Sequence, residues 1–435
     1  MELPRGLLTL FLQFILLPLI AALPYPLNTL DDEVFAPKVM IISMVYPLPY
    51  LDSYHFSNTT LQWSPEAAVW HERLPGSNLG NLASKTIHAP GLSMLFPCAT
   101  CTEDGSICHV TIGEGEINSA TSLMALMLSP KFDFRHTYFL VAGIAGVNPK
   151  YGTLGSVAIA RYSVQVALQY EIDIRSLPPG WPTGYISYGR DQPYQQPFIT
   201  YGTEVFELNA QLQDAAYKLA SKAQLEDANG PKEYRALYRR MGETYKRASQ
   251  PPSVIKCDTA TSDVYYSGSR LSESFENTTK VWTNGTGVYC MSAQEDNAIL
   301  EVLVRAAIAK ICDFSRVMIY RTGSNFDRPP PDYTDLDHLT AAKQNGFSIA
   351  IANIFNAGIE IVKGIIEDWD TTFKAGIRAE NYIGDIFGSL GGEPDFGFGS
   401  LTHGERIAPD SKSSELANRE MDRRRILTQK SLRKI

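Results

Sequence analysis

The sequence predicts a layered α/β fold, and three observations carry that prediction. Two short apolar runs, Lys38–Val45 and Tyr138–Ala142, read as strands, the second with the length and composition of one buried on both faces. Stretches with apolar residues at helical spacing separate such runs. The runs also give way at once to loops of small or polar residues, where open α/β sheets hold their ligands. A chain of 435 residues, 44% apolar and 20% charged, is long enough for one large domain of this kind or two smaller ones. The reading taken here is a single domain over 36–402, with loop excursions at 45–63 and 178–200.

Residues 1–23 read as a targeting segment. Arg5 precedes an apolar run that ends at Leu23, and Ala21-Ala22 offers small residues for cleavage. The alternative is a signal anchor, but the run is short and Pro18 disturbs a spanning helix. No integral span is expected later. The most apolar stretch, Ser348–Ile366, contains Asn353, Asn356, Glu360 and Lys363, which suits an amphipathic helix. The formal net charge is -8, and residues 419–435 carry seven Lys/Arg against two acids, so the rest is more acidic still. An acidic body argues against nucleic acid as a partner. The basic tail 403–435 reads as a solvated, disordered end.

Six cysteines behind a signal peptide suggest disulfides. Cys98-x-x-Cys101 lacks a second pair or a His cluster, so metal binding is not expected. Local bridges within 98–108 and between Cys257 and Cys290 are the better reading, with Cys312 a free core thiol. Sequons at Asn58, Asn277 and Asn284 fit secretion and glycosylation.

The elements follow in order. After the first strand, 45–63 is Pro- and Tyr-rich and has no period. Ser64-Pro65-Glu66 starts a helix with a cap, a proline and an acid in the places that favour each. Cys108–Thr111 is a strand feeding Gly113-Glu114-Gly115, a turn that opens a helix through Leu128. Such a helix start is positive and suits an anion or a sugar hydroxyl. Tyr138–Ala142 ends in Gly143-Ile144-Ala145-Gly146, read as a tight turn that lets a ligand approach the backbone. The alternative is a turn with no ligand. Val157–Tyr162 is the next strand. Val205, Leu208, Leu212, Ala216 and Leu219 lie at helical spacing. Val254–Tyr266 holds a strand. Glu295-Asp296-Asn297 opens another helix, Val317–Tyr320 is the strand after it, and Arg321–Arg328 is its polar loop. Phe347–Trp369 closes the chain as an amphipathic helix.

Several of these segments together resemble the nucleosidases of the nucleoside phosphorylase superfamily. Gly113–Ala120, with Asn118 inside it, resembles their G-I-G-K-V-N-A-A turn. Val141–Val147, with Gly143 and Ile144, resembles T-G-S-A-G-G. Ser262-Asp263-Val264-Tyr265 resembles the segment that lays an aromatic ring on the base. Glu295–Ala298 resembles M-E-G-A-A, whose Glu holds ribose hydroxyls. Arg321–Asn325, with Ser324, resembles R-x-x-S-D, whose Asp meets the purine. Within that superfamily the chain is most similar to the fungal purine nucleoside permeases, through A-G-I-A-G-x-N-P-x-x-G-T-x-G-S and Q-E-D-N-A. The resemblance implies a three-layer αβα sandwich around a mixed sheet, and purine nucleosides as ligands.

It also assigns roles. Glu295 would hold the ribose and Tyr265 would stack on the base, with Asp263, Asn118, Gly143, Ile144 and Ser324 around them. If the N-glycosidic bond is cleaved, Asn325 and Glu66 are the catalytic candidates, Asn325 hydrogen-bonding the leaving purine. No cofactor is implied; phosphate is an allowed co-substrate, and a homo-oligomer is compatible with the family. Three departures stand out. Ile144 replaces a Ser, Asn325 replaces the purine-facing Asp, and 45–63 separates Glu66 from the first strand. Two functions follow: nucleoside binding at the cell surface in support of uptake, or cleavage of the nucleoside by a secreted enzyme. Each site residue also has a plain reading, Glu295 as a helix-start acid, Tyr265 as core and Asn325 as a turn residue.

Overall fold

A computed structural model describes residues 33–44 and 63–396. Residues 1–32, where the targeting segment is expected, most of 45–63 and the basic tail lie outside the described residues. From Phe35 the chain belongs to one compact unit. β1 (Val39–Ser43) is buried along its whole length. α1 (Pro65–Arg73) begins as its sequence dictates: Ser64 Oγ accepts from the Ala67 amide at 3.3 Å. β2 (Lys85–His88), β3 (Cys98–Cys101) and β4 (Ile107–Thr111) form an antiparallel run, and β4 then pairs with β1 in parallel. α2 (Glu116–Met127) leads to β5 (Tyr138–Val147). β6 (Val157–Ile159) and β7 (Tyr162–Gln165) follow. β8 (Tyr170–Glu171) and β9 (Tyr185–Ile186) make a separate small sheet, and the rest of 178–200 is irregular.

β10 (Val205–Glu207), α3 (Ala210–Ala220), α4 (Asn229–Ala236), β11 (Val254–Lys256) and β12 (Asp258–Thr261) come next. The last part holds α5 (Ser269–Trp282), β13 (Tyr289–Ala293), α6 (Asp296–Ile308), β14 (Val317–Phe326), α7 (Asp335–Thr340), α8 (Phe347–Glu367) and β15 (Gly384–Asp385).

β5 is the hub of the main sheet. It runs parallel to β1 (Val39 opposite Tyr138) and to β14 (Val317 opposite Phe139), and its end meets β13 antiparallel (Met291 opposite Val147). Its side chains alternate between two cores. Phe139 and Val141 join Leu123, Leu126, Ile299 and Leu303 of α2 and α6. Tyr138, Leu140 and Ala142 join Trp70, Leu212, Ile354 and Ile361 of α1, α3 and α8. The protein is therefore a three-layer αβα arrangement around a mixed sheet, as the sequence predicts. Each large aliphatic side chain so buried contributes about 1.5–3 kcal/mol.

α8 is long and apolar enough to cross a membrane. Ile354, Ile361 and Ile365 are instead buried in the core. Its Asn353 amide donates to Gly155 O (2.9 Å) and Glu226 O (3.0 Å) and accepts from the Glu226 amide at 2.7 Å. A polar side chain satisfied this way marks a helix packed inside protein.

Three local readings are corrected. Gly143–Gly146 is not a turn: β5 continues through Val147, because β14 pairs with it along its length. Arg321–Phe326 is likewise strand, not loop, and it holds a bulge between Gly323 and Asn325. Val205 lies in β10; the helix starts only after Asn209, whose Oδ1 accepts from the Gln211 and Leu212 amides. Asn284 is buried, and its Oδ1 accepts from Gln196 Nε2 at 2.6 Å. A sequon there is not presented by the folded chain.

Disulfides join Cys101 to Cys108 and Cys257 to Cys290, while Cys98 and the buried Cys312 are free. Mass spectrometry of non-reduced peptides is expected to find those two links and thiols at Cys98 and Cys312. Replacing Cys257 and Cys290 together should cost roughly 3 kcal/mol in denaturant unfolding, from the loop that the bridge closes. Six free thiols, or an unchanged midpoint, contradicts this.

Candidate functional site

A cavity of about 450 Å³ opens where β1, β5, β13 and β14 end. That volume falls within the range of small-molecule sites. Its floor is β5, and the small residues of that strand have a steric cause. A Cβ on Gly143 would sit 2.3 Å from Met44 Cε, 2.7 Å from Arg321 Nη1 and 3.0 Å from Glu66 Oε1. One on Gly146 would sit 2.3 Å from Ser292 Oγ and 3.4 Å from Asn325 Nδ2. The glycines make room for functional side chains rather than for a turn.

Arg321 lies at the centre and is almost fully buried. Its Nε donates to Asp296 Oδ1 at 3.0 Å, Nη2 to Glu295 Oε2 at 2.9 Å, and Nη1 to the Ile144 carbonyl at 3.1 Å. Burial opposes its charge, but Asp296 and Glu295 outweigh that and keep it protonated. Glu295 also accepts from the Gly115 amide at 3.1 Å, so it ties α2 to α6. Burial pushes its carboxyl up, and Arg321 and the Gly115 amide pull it back.

Glu66 completes the cluster. Its Oε2 accepts from the Met44 amide at 2.9 Å and its Oε1 from the Ile144 amide at 2.8 Å. The helix cap at Ser64 thus returns this acid to the end of β1, across the segment that separates them in sequence. Burial raises its pKa to about 8, against the opposing pull of the Ile144 amide and Arg321. Glu114, half-buried, is also raised, first by burial and then by Glu295 and Asp263.

The structure brings Glu66, Ile144, Tyr265, Glu295, Ser324 and Asn325 to the cavity lining. Ser324 is the extra residue of the β14 bulge, a device that re-aims side chains beside functional sites. Asn325 Oδ1 accepts from Ser324 Oγ at 2.9 Å, and its Nδ2 donates to the Phe326 carbonyl at 3.3 Å. An amide has two donors and two lone pairs, so those bonds leave one of each for a ligand. Tyr265 and Val264 stand exposed at the mouth.

Asn118, Asp263 and Gly143 do not line the cavity. The Asn118 amide donates to the Glu114 carbonyl at 2.8 Å on the exposed side of α2. Asp263 Oδ1 accepts from the Glu116 amide at 2.9 Å, where it caps that helix. Sequence reasoning missed Arg321, Ser292, Tyr266 and Glu114 as lining residues. Arg321 was within reach, as the first residue of the R-x-x-S-D resemblance. Ser292 gave no sequence signal, because its role comes from strand pairing with Gly146, and Tyr266 reaches the cavity from the irregular segment after β12. Tyr266 Oη donates to Tyr289 Oη (2.9 Å), which donates to Asp327 Oδ2 (2.7 Å), and Arg328 Nε donates to Asp327 Oδ1 (2.8 Å). That chain braces the segment carrying Val264 and Tyr265.

The arrangement defines an α/β protein with an acidic pocket at the strand ends, built around one buried arginine. The family model described as Purine nucleoside permease (NUP) matches residues 36–378. A purine nucleoside permease of Candida albicans is 46% identical over 317 residues, covering 72% of this chain and 77% of that protein. A probable purine nucleoside permease of Schizosaccharomyces pombe is 37% identical over 352 residues, covering 78% and 91%. The chain belongs to the purine nucleoside permease family. Among solved structures, a 5'-methylthioadenosine/S-adenosylhomocysteine nucleosidase from Neisseria meningitidis has a TM-score of 0.40 at 15% identity, covering 75% of this chain and 99% of that one. A futalosine hydrolase of Helicobacter pylori has a TM-score of 0.39 at 11% identity, covering 76% and 98%. At those values neither carries functional weight.

Glu66 gives a pH test. Unfolded it ionises near 4.5, folded near 8, so in between the folded state holds a proton that the unfolded chain has lost. Its contribution to stability is full below 4.5 and is lost as pH rises through 8. Glu66→Gln stays neutral throughout. Relative to the parent, it should gain roughly 2–4 kcal/mol between pH 5 and pH 8.5 in denaturant unfolding. Parallel pH profiles for parent and variant would contradict the burial of an acid here.

Proposed function

We propose that this chain binds purine nucleosides in the cavity and supports their uptake at the cell surface, which it reaches through the secretory pathway. One observation carries the reading. A carboxylate, an aromatic ring and an amide (Glu295, Tyr265 and Asn325) converge on one cavity. In this reading Glu295 accepts from ribose hydroxyls through its remaining lone pairs, Tyr265 covers the base and Asn325 meets the purine edge. Membership of the permease family supports it.

Glu66 favours a second reading, cleavage of the N-glycosidic bond, because a buried acid that titrates near neutrality suits proton transfer. Incubation of purified protein with inosine, with and without phosphate, separates the two. Binding without turnover supports uptake. Release of ribose means hydrolysis, and release of ribose 1-phosphate means phosphorolysis.

Asn325 should set a modest base preference. A 6-oxopurine offers acceptors at N7 and O6, one of which the remaining N–H of the amide meets by donating; adenine offers N7 as an acceptor and a donor at N6. Asn325→Asp, once protonated, donates to N7 and accepts from N6. The inosine-to-adenosine binding ratio should fall about five- to thirty-fold, from one buried hydrogen bond gained and one lost. An unchanged ratio in a folded variant removes Asn325 from the base site.

A further inference from the structure

We propose that the cavity is selective by charge: it admits uncharged nucleosides and excludes phosphate, free or carried on the nucleoside, because the chain's own carboxylates occupy the anion-binding places around it. The inference rests on the nucleoside reading above and names the form of the ligand and the co-substrate that it cannot take.

Three sets of charged or dipole-favoured donors stand around the cavity, and the donors named below already hold acceptors of the chain, which leaves uncharged hydroxyl and amide donors such as Asn325 for a ligand. The first is the start of α2 behind the Gly113-Glu114-Gly115 turn, where helix dipole and amides favour negative charge. Its Gly115 amide donates to Glu295 at 3.1 Å and its Glu116 amide to Asp263 at 2.9 Å. The second is Arg321, the only Lys or Arg among the described lining residues. Glu295 and Asp296 hold its Nε and Nη2, and the Ile144 carbonyl holds Nη1. The third is the exposed edge of β5, where the Ile144 amide donates to Glu66 at 2.8 Å. Ile144 itself brings no hydroxyl that could replace that donor.

The remaining charge has the wrong sign for phosphate. Glu114 lines the cavity and has no cation among its lining neighbours except the committed Arg321. A phosphate monoester near pH 7 carries between one and two negative charges, and like charges brought together away from water repel strongly. A ribose hydroxyl meets no such barrier, since it donates to a carboxylate that already stands there.

Isothermal titration of the full chain with inosine, with inosine 5'-monophosphate and with inorganic phosphate tests the proposal. Inosine should bind, the monophosphate at least about a hundredfold more weakly, and excess phosphate should leave the inosine affinity unchanged. Asp263→Ala frees the Glu116 amide and removes a charge on the exposed side. It should narrow the nucleoside-to-monophosphate ratio about three- to tenfold. Comparable binding of the two ligands, or inosine binding that requires phosphate, overturns charge selectivity and leaves the nucleoside reading standing. An unchanged ratio in a folded Asp263→Ala overturns the role given to the helix start. Failure of inosine and of adenosine to bind at all overturns both readings.

Discussion

One guanidinium has to balance three largely buried acidic side chains. Arg321 lies among Glu295, Asp296 and Glu66, all buried. Coulomb attraction in such a place is strong, but the cost of drying the charges is of similar size, so the geometry decides the outcome. The chain meets that demand with backbone. Ile144 offers its carbonyl to Arg321 and its amide to Glu66, Met44 offers its amide to Glu66, and Gly115 offers its amide to Glu295. Burial raises the Glu66 pKa to about 8, which favours its neutral form near neutral pH and lowers the charge left unbalanced.

Much of the local structure follows from fitting these groups together. Gly143 must lack a side chain because Met44, Arg321 and Glu66 fill that space, and Gly146 because Ser292 does. The bulge in β14 turns Ser324 and Asn325 towards the cavity while Arg321 stays in register with Gly143. The two layers of helices hold the strand ends in place. Trp70 anchors α1, and with it Glu66, by packing on Phe355 of α8.

The layers were legible from apolar runs and helical spacing, since burial on both faces leaves a plain signature in β1, β5 and the first half of β14. The ends of those strands were not. Gly143–Gly146 and Arg321–Asn325 read as loop by composition, yet they are strand because the two segments pair, with Ser324 bulged out between Gly323 and Asn325. Composition reports local preference, and pairing between residues 143 and 321 is not local. In the site, Glu295 was visible as an acid at a helix start, and Glu66 as an acid behind a cap. Arg321 as the charge that joins them was not, because an arginine after a strand reads as solvated. Asn118 fell outside the cavity because its side-chain amide folds back onto the turn that precedes α2, where it donates to the Glu114 carbonyl.

The most direct test is a crystal structure of the full chain grown with inosine. The account predicts ribose hydroxyls within hydrogen-bond distance of Glu295, the base between Tyr265 and Asn325, and Arg321 still paired with Glu295 and Asp296. Inosine seated elsewhere, or Arg321 swung out of its carboxylate pair to contact the ligand, would contradict it.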